Sequence, residues 1–246
     1  MATRPRQEAS TFDREVLVAG AGQLLVLAAL TATVGLDGVG WVAGCAYAAV
    51  VGFLLTAGPV AARAQAAGPA NRVTLTRATL VGGVTALIAQ QIADELAGLL
   101  GSPARTAVLL GLASVALALD LVDGWVARRT DTVSELGARF DMELDALLIL
   151  VLSVLVCRTL GYWVLALGLM RYLFIAAGRL FPYLTAPLPH SRARKVVAAV
   201  QGVVLVVAAA PFVPRPLAAV AVAVALATLV WSFGRDALWL VRHRAA

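Results

Sequence analysis

Long apolar segments recur along this chain, and they constrain its fold more than any other feature. Most run for about 20 residues, the length that a helix needs to cross a hydrocarbon core of roughly 30 Å. Hydrophobic residues make up 61% of the sequence and charged residues 14%, a balance that soluble domains do not have. The segments are continuous rather than alternating, which favours helices over a β-barrel. The sequence therefore predicts an all-α, polytopic membrane helix bundle.

Eight transmembrane helices are predicted, separated by short stretches that contain Gly, Pro or charged residues. Their approximate bounds are 16–36, 40–62, 76–100, 105–127, 139–158, 161–182, 196–213 and 215–240. The N-terminal residues lack the apolar core and cleavage site of a signal peptide, so we expect the first span to be retained. Asp94 and Glu95, near the outer end of the third span, are expected at the membrane interface.

Basic residues predict the orientation of these spans. The N-terminal segment and the loops after the even-numbered spans carry most arginines; the loop after the second span contributes Arg63, Arg72 and Arg77. The opposite loops carry only Arg105, Arg158 and Arg215. Both termini are therefore expected in the cytoplasm. Because the charges are scattered, topology explains the net charge of +6 better than a nucleic-acid partner does.

Four aspartates lie where the fourth span ends and the fifth begins. Asp120 and Asp123 are three residues apart, so on a helix they share a face. Asp141 and Asp145, four residues apart, share a face as well. Carboxylates brought together in this way need a cation, since like charges raise one another's pKa. Ligands made only of oxygen suit Mg²⁺ or Mn²⁺, which commonly hold phosphates too.

Small residues and one arginine accompany these aspartates. Gly124, Ala127 and Gly137 leave room for a ligand close to the helices. Arg128 offers a forked donor to phosphate oxygens. A metal and an arginine beside a phosphate indicate phosphoryl transfer.

The spacing Asp-x2-Asp-Gly-x2-Ala-Arg-x8-Gly-x3-Asp-x3-Asp resembles the signature of the CDP-alcohol phosphatidyltransferase family, and every fixed position is filled. A weaker match lies upstream in NRVTLTR, where Asn71, Thr74 and Arg77 are similar to a second family motif and Ala70 replaces its proline. The resemblance covers about residues 70–240. It implies a six-helix catalytic core, 70–246. Hydropathy and charge place before this core a cytoplasmic N-terminal segment, 1–15, and a two-helix extension, 16–69, which the resemblance does not explain.

The resemblance also implies a reaction and roles for individual residues. The phosphatidyl group of CDP-diacylglycerol, or of another CDP-alcohol, would pass to the hydroxyl of a small polar acceptor, with release of CMP. Two divalent ions would be held by the metal ligands Asp120, Asp123, Asp141 and Asp145, of which Asp145 would also be the general base. The implied CDP contacts are Asn71, Thr74, Gly124, Ala127, Arg128 and Gly137. A homodimer is expected by analogy. The distribution of basic residues predicts that the active site lies at the cytoplasmic face of the cell membrane.

The acceptor is predicted from basic residues. Arg171 falls in the middle of a span, where an arginine is costly and indicates an anionic partner or a structural ion pair. We expect a phosphorylated polyol, inositol phosphate or glycerol 3-phosphate, bound by Arg171, Arg179, Arg192, Arg194 and Lys195. Serine, ethanolamine and choline are alternatives, and so is transfer of a CDP-linked headgroup to a lipid alcohol.

Three other classes match the pattern less well. A cation-coupled transporter would show repeat symmetry and broken helices near the midplane. A membrane prenyltransferase would place its acidic motifs on two well-separated helix pairs. An inactive scaffold would lack part of the signature.

Overall fold

A computed structural model of the chain describes residues 3–56, 69–130, 135–181 and 192–242. Within these ranges the fold consists of eight α-helices and one short 3₁₀ turn, without a strand, which confirms the predicted all-α class. The helices are α1 (Thr3–Val34), α2 (Gly38–Thr56), α3 (Pro69–Leu96), α4 (Pro103–Thr130), α5 (Glu135–Leu160), α6 (Leu165–Leu180), α7 (Arg192–Ala209) and α8 (Arg215–Arg242).

Six of these helices contain a segment that is long and apolar enough to cross a membrane, counted over the described residues. The segments are Arg14–Val34, Gly38–Leu55, Arg72–Leu96, Pro103–Asp120, Tyr162–Leu180 and Arg215–Arg242. The chain is therefore an integral membrane protein. In α7 the apolar part, Val196–Ala209, is shorter. That α5 and α7 also cross the membrane stays a prediction.

The chain divides into two compact units, Met1–Leu144 and Asp145–Ala246. The first unit is built around α3, which packs against α1, α2 and α4. In the membrane segment of α3, 67% of the residues are buried, against no more than 28% in each of the other five segments. Its side chains Val81, Val84 and Leu87 have no solvent-exposed area. This helix is the core of the first unit.

Glycines allow α2 to lie close to its neighbours. A Cβ atom at Gly44 would lie 2.6 Å from the Leu27 side chain and 3.3 Å from Ala86. At Gly40, one turn earlier, it would lie 3.1 Å from the Ala86 carbonyl oxygen. A pair of small residues four positions apart is the usual way for membrane helices to approach each other, because it brings the backbones into contact.

A polar network joins the end of α1, the end of α3 and the start of α4. Asp94 forms an ion pair with Arg105 and accepts a hydrogen bond of 2.9 Å from Nε2 of Gln90. The Arg105 guanidinium also donates to the carbonyl oxygen of Gly35, at 2.9 Å. Gly35 ends α1 in the left-handed region, with φ 69°. Within this network Asp94 is only 9% exposed, and its expected place at the membrane interface stays a prediction.

The second unit has its own packing. Gln201 of α7 donates from Nε2 to the Ala225 carbonyl of α8 at 3.1 Å. Phe174 of α6 meets Phe233 of α8 edge to face, with ring centroids 5.2 Å apart. A Cβ atom at Gly168 would lie 2.5 Å from Cα of Leu150, so only glycine allows α6 to lie this close to α5.

We expect Arg105→Met to destabilise the protein by about 3 kcal/mol, because it leaves the Asp94 carboxylate buried without its charged partner. Thermal or denaturant unfolding of the detergent-solubilised protein measures this loss. Arg215→Met is a matched control, since Arg215 is exposed at the start of α8, and it should change stability by less than about 0.5 kcal/mol. Equal effects of the two substitutions would contradict a structural role for the network.

Candidate metal centre

Three of the four aspartates predicted to bind metal come together. Oxygens of Asp120, Asp141 and Asp145 lie within 4.8 Å of one another. Asp120 lies in α4, while Asp141 and Asp145 lie one turn apart in α5. All three residues are partly exposed, so their carboxylates are open to solvent on one side. The predicted pairing of the two acidic helix faces therefore holds for these three residues.

A buried arginine reaches this cluster from α3. Nη1 of Arg77 donates to Oδ1 of Asp120 at 2.5 Å, and Nη2 pairs with Oδ1 of Asp141. The Arg77 side chain is 1% exposed, while the two carboxylate side chains are 28% and 37% exposed. The guanidinium therefore approaches the carboxylates from the protein interior, and it connects α3 to both α4 and α5.

Arg77 is the contact that the sequence interpretation missed. Its charge was counted with the loop after the second span, although the residue lies at the start of the predicted third span, 76–100. In the structure it lies inside α3 and is buried. The available signal was the spacing Asn-x2-Thr-x2-Arg, which puts Thr74 and Arg77 on one helix face. Thr74, a predicted CDP contact, is 7% exposed and lies one turn before Arg77.

Arg72, by contrast, does behave as an interfacial charge. Its side chain is 71% exposed and its Nε donates to Glu15 of α1 at 2.7 Å. Two arginines of α3 that are five residues apart thus have different environments. Arg72 connects α3 to the N-terminal hairpin formed by α1 and α2, and Arg77 connects it to the aspartates.

Several predicted site residues have side chains outside the described part of the chain, and their expected contacts stay predictions. The backbone of all of them belongs to α3, α4, α5 or α7. They are Asn71, Asp123, Gly124, Ala127, Arg128, Gly137, Arg192, Arg194 and Lys195. The other two residues predicted to bind the acceptor lie in α6 of the second unit. Arg171 is partly exposed in the middle of that helix, and Arg179 is exposed in its last turn.

The donor set of the cluster fits a hard divalent cation. Asp120, Asp141 and Asp145 offer carboxylate oxygens only, which are the ligands that Mg²⁺ and Mn²⁺ prefer. Three carboxylates and the Arg77 guanidinium carry a combined formal charge of −2, which one divalent ion neutralises. The chemistry of these residues is therefore suited to a divalent metal ion.

Comparison with known protein families found a match for this chain. The model of the CDP-alcohol phosphatidyltransferase family matches residues 67–231, more than half of the chain. The matched region runs from the residues just before α3 into α8, and α1 and α2 precede it. Searches of curated proteins and of solved structures found no match.

We expect Asp141→Asn to weaken Mn²⁺ binding by about 100-fold, because a unit charge about 3 Å from a divalent ion contributes that much even at the dielectric constant of water. Electron paramagnetic resonance of free Mn²⁺ measures the dissociation constant. Glu143→Gln is the matched control: it removes one charge from the same helix but lies outside the cluster. Unchanged binding in Asp141→Asn would exclude this residue as a metal ligand.

Proposed function

The chain belongs to the CDP-alcohol phosphatidyltransferase family, and we propose that it moves the phosphatidyl group of CDP-diacylglycerol to a small polar acceptor and releases CMP. Membership makes it a membrane-bound transferase of phosphate-containing groups in phospholipid synthesis, with a CDP-alcohol and an alcohol acceptor as substrates. The observation that carries the proposal is the cluster of Asp120, Asp141 and Asp145, three residues of the family signature within 4.8 Å of one another.

The family uses divalent metals, and the aspartates supply a place for them. In our proposal Asp120, Asp123, Asp141 and Asp145 hold two ions, Mg²⁺ or Mn²⁺. When bound, the ions would neutralise the diphosphate and the charge that develops on the departing CMP. Gly124, Ala127, Arg128 and Gly137, with Asn71 and Thr74, would line the cytidine diphosphate site.

The proposed reaction is a displacement at phosphorus, with Asp145 as its general base. Asp145 removes the proton from the acceptor hydroxyl, and that oxygen attacks the phosphorus on the lipid side of the diphosphate. A new phosphorus–oxygen bond forms to the acceptor. The bond from the same phosphorus to the bridging oxygen breaks, and CMP leaves with that oxygen. Partial exposure of Asp145, one turn from Asp141, supports this role, because an acceptor from solvent has access to it.

For the acceptor we propose a phosphorylated polyol, either inositol phosphate or glycerol 3-phosphate. Arg171 supports this choice, because a cationic side chain inside the apolar segment Tyr162–Leu180 is costly and therefore indicates a functional role. Arg179, Arg192, Arg194 and Lys195 would contribute further positive charge. A free alcohol such as serine, or a CDP-linked headgroup passed to a lipid alcohol, is the alternative that the acceptor assay distinguishes.

An ion-coupled transporter is disfavoured by the buried face of α3. Arg77 and Asp94 are 17 residues apart in the chain, which is about 25 Å along a helix. Between them, Val81, Val84, Leu87 and Ile88 are apolar and no more than 3% exposed. Apart from Gln90, the buried side chains between them are apolar, so few polar groups lead away from the carboxylate cluster at the Arg77 end of this stretch. We place that end, and both termini, on the cytoplasmic side of the cell membrane, and we expect a homodimer from the family resemblance.

We expect purified protein to release CMP from CDP-diacylglycerol when Mg²⁺ or Mn²⁺ and one acceptor are present. Asp145→Asn should reduce the rate by about 100- to 10,000-fold, the usual contribution of a general base. Glu143→Gln, two residues away on the same helix, should keep the rate near that of the wild type. Supplying one acceptor at a time shows which acceptor supports CMP release and so identifies the product. Folded protein that releases no CMP with any acceptor or metal would contradict the proposal.

We expect Arg171→Gln to raise the KM for a phosphorylated acceptor by about 10- to 100-fold, because a charge-assisted hydrogen bond to phosphate is lost. The KM for CDP-diacylglycerol should stay the same. Arg215→Gln, at the exposed start of α8, is the control. An unchanged acceptor KM in Arg171→Gln would remove this residue from the acceptor site.

A further inference from the structure

Arg77 and the aspartates are exposed to very different degrees. The guanidinium is 1% exposed, whereas Asp120 and Asp141 keep 28% and 37% of their side-chain surface exposed. A cation that enters from solvent would therefore meet the carboxylates from the side opposite Arg77. The arginine occupies the interior side of the cluster, and the metal would occupy the exterior side.

The contacts of Arg77 also fix the spacing of two helices. One nitrogen of the guanidinium meets Asp120 of α4 and the other meets Asp141 of α5. A planar, forked cation can hold two carboxylates in one geometry, whereas the ammonium of lysine is a single point charge on a flexible stem. Asp120 of α4 and Asp141 of α5 are thus both held by a side chain of a third helix, α3.

We propose that Arg77 is the positioning residue of the metal centre. It holds Asp120 and Asp141 in place before divalent ions bind, and it remains beneath them as a fixed countercharge. Without Arg77, the clustered carboxylates repel one another when no metal is present. This inference rests on the proposed function, because it takes the aspartates to be the metal ligands.

Removing Arg77 should have two effects: tighter metal binding and slower turnover. Loss of its charge should tighten metal binding by about tenfold, because a +1 and a +2 charge roughly 6 Å apart repel by that factor even at the dielectric constant of water. Loss of its fork should displace the two carboxylates and slow turnover, since misplacement by about 1 Å costs roughly 100-fold. A purely structural arginine would not tighten metal binding, and an arginine that only competes with the metal would not slow turnover.

The test compares Arg77→Met, Arg77→Lys and Arg105→Met in the purified full-length protein. Arg105 is the matched control, because it is also a poorly exposed arginine paired with an aspartate, but at the other end of α3. The melting temperature is measured with chelator and with saturating Mn²⁺, and the Mn²⁺ dissociation constant by electron paramagnetic resonance. CMP release is measured at saturating Mn²⁺.

For Arg77→Met we expect a lowered melting temperature in chelator that Mn²⁺ largely restores, Mn²⁺ binding about tenfold tighter than in the wild type, and turnover reduced by about 100-fold. For Arg105→Met the loss in melting temperature should be the same with and without Mn²⁺. Arg77→Lys keeps the charge and loses the fork, so its Mn²⁺ binding should match the wild type while its turnover falls.

Either of two results would overturn the role of Arg77. In the first, Arg77→Met loses stability that Mn²⁺ does not restore, as in the control Arg105→Met. In addition, Arg77→Met binds Mn²⁺ no more tightly than the wild type does. The second is wild-type turnover in Arg77→Lys, which decides the question if Arg77→Met does not fold. If the wild-type protein itself shows no Mn²⁺ binding and no Mn²⁺-dependent change in melting temperature, the metal centre of the proposed function fails, and this inference fails with it.

Discussion

An arginine buried in a membrane protein needs carboxylates around it, and this requirement organises the first unit. Arg77 and Asp94 are both buried residues of α3, 17 positions apart in the chain. Arg77 holds α4 and α5 through Asp120 and Asp141, and Asp94 holds the start of α4 through Arg105. Apart from Gln90, the buried side chains between them are apolar. The position of the proposed metal ligands therefore depends on α3, the helix in which these charges are buried.

The helices and the acidic cluster were predictable because the signals for them are local. The length of an apolar segment predicts a span, and a spacing of three or four residues predicts a shared helix face. The pairing of Arg77 was not predictable in this way. Its partners lie 43 and 64 residues away in the chain, and helical periodicity does not tell which faces meet. Counting charges for topology groups each arginine with the nearest loop, so it does not predict that Arg77 and Arg105 pair with aspartates of other helices.

The N-terminal hairpin shows a similar division between local and long-range information. Two additional spans were predicted from hydropathy, yet their place in the fold depends on contacts along α3. Glu15 pairs with Arg72, and Gly44 meets Ala86. At the far end, Gln90 accepts hydrogen bonds from the backbone nitrogens of Asp37 and Gly40. The hairpin lies outside the family match, but it packs on the same helix that carries Arg77.

The central position of α3 has a consequence for how the chain enters the membrane. Its mean hydropathy of 1.2 is the lowest among the six apolar segments of the described chain. The charged partners of its buried residues, Arg105, Asp120 and Asp141, are all synthesised after it. The hairpin, its main apolar neighbour, is synthesised before it. The packing surface for α3 is therefore synthesised before α3, and the residues that pair with its buried charges are synthesised after it. The hairpin thus precedes the step at which this weakly hydrophobic helix must leave the translocation channel.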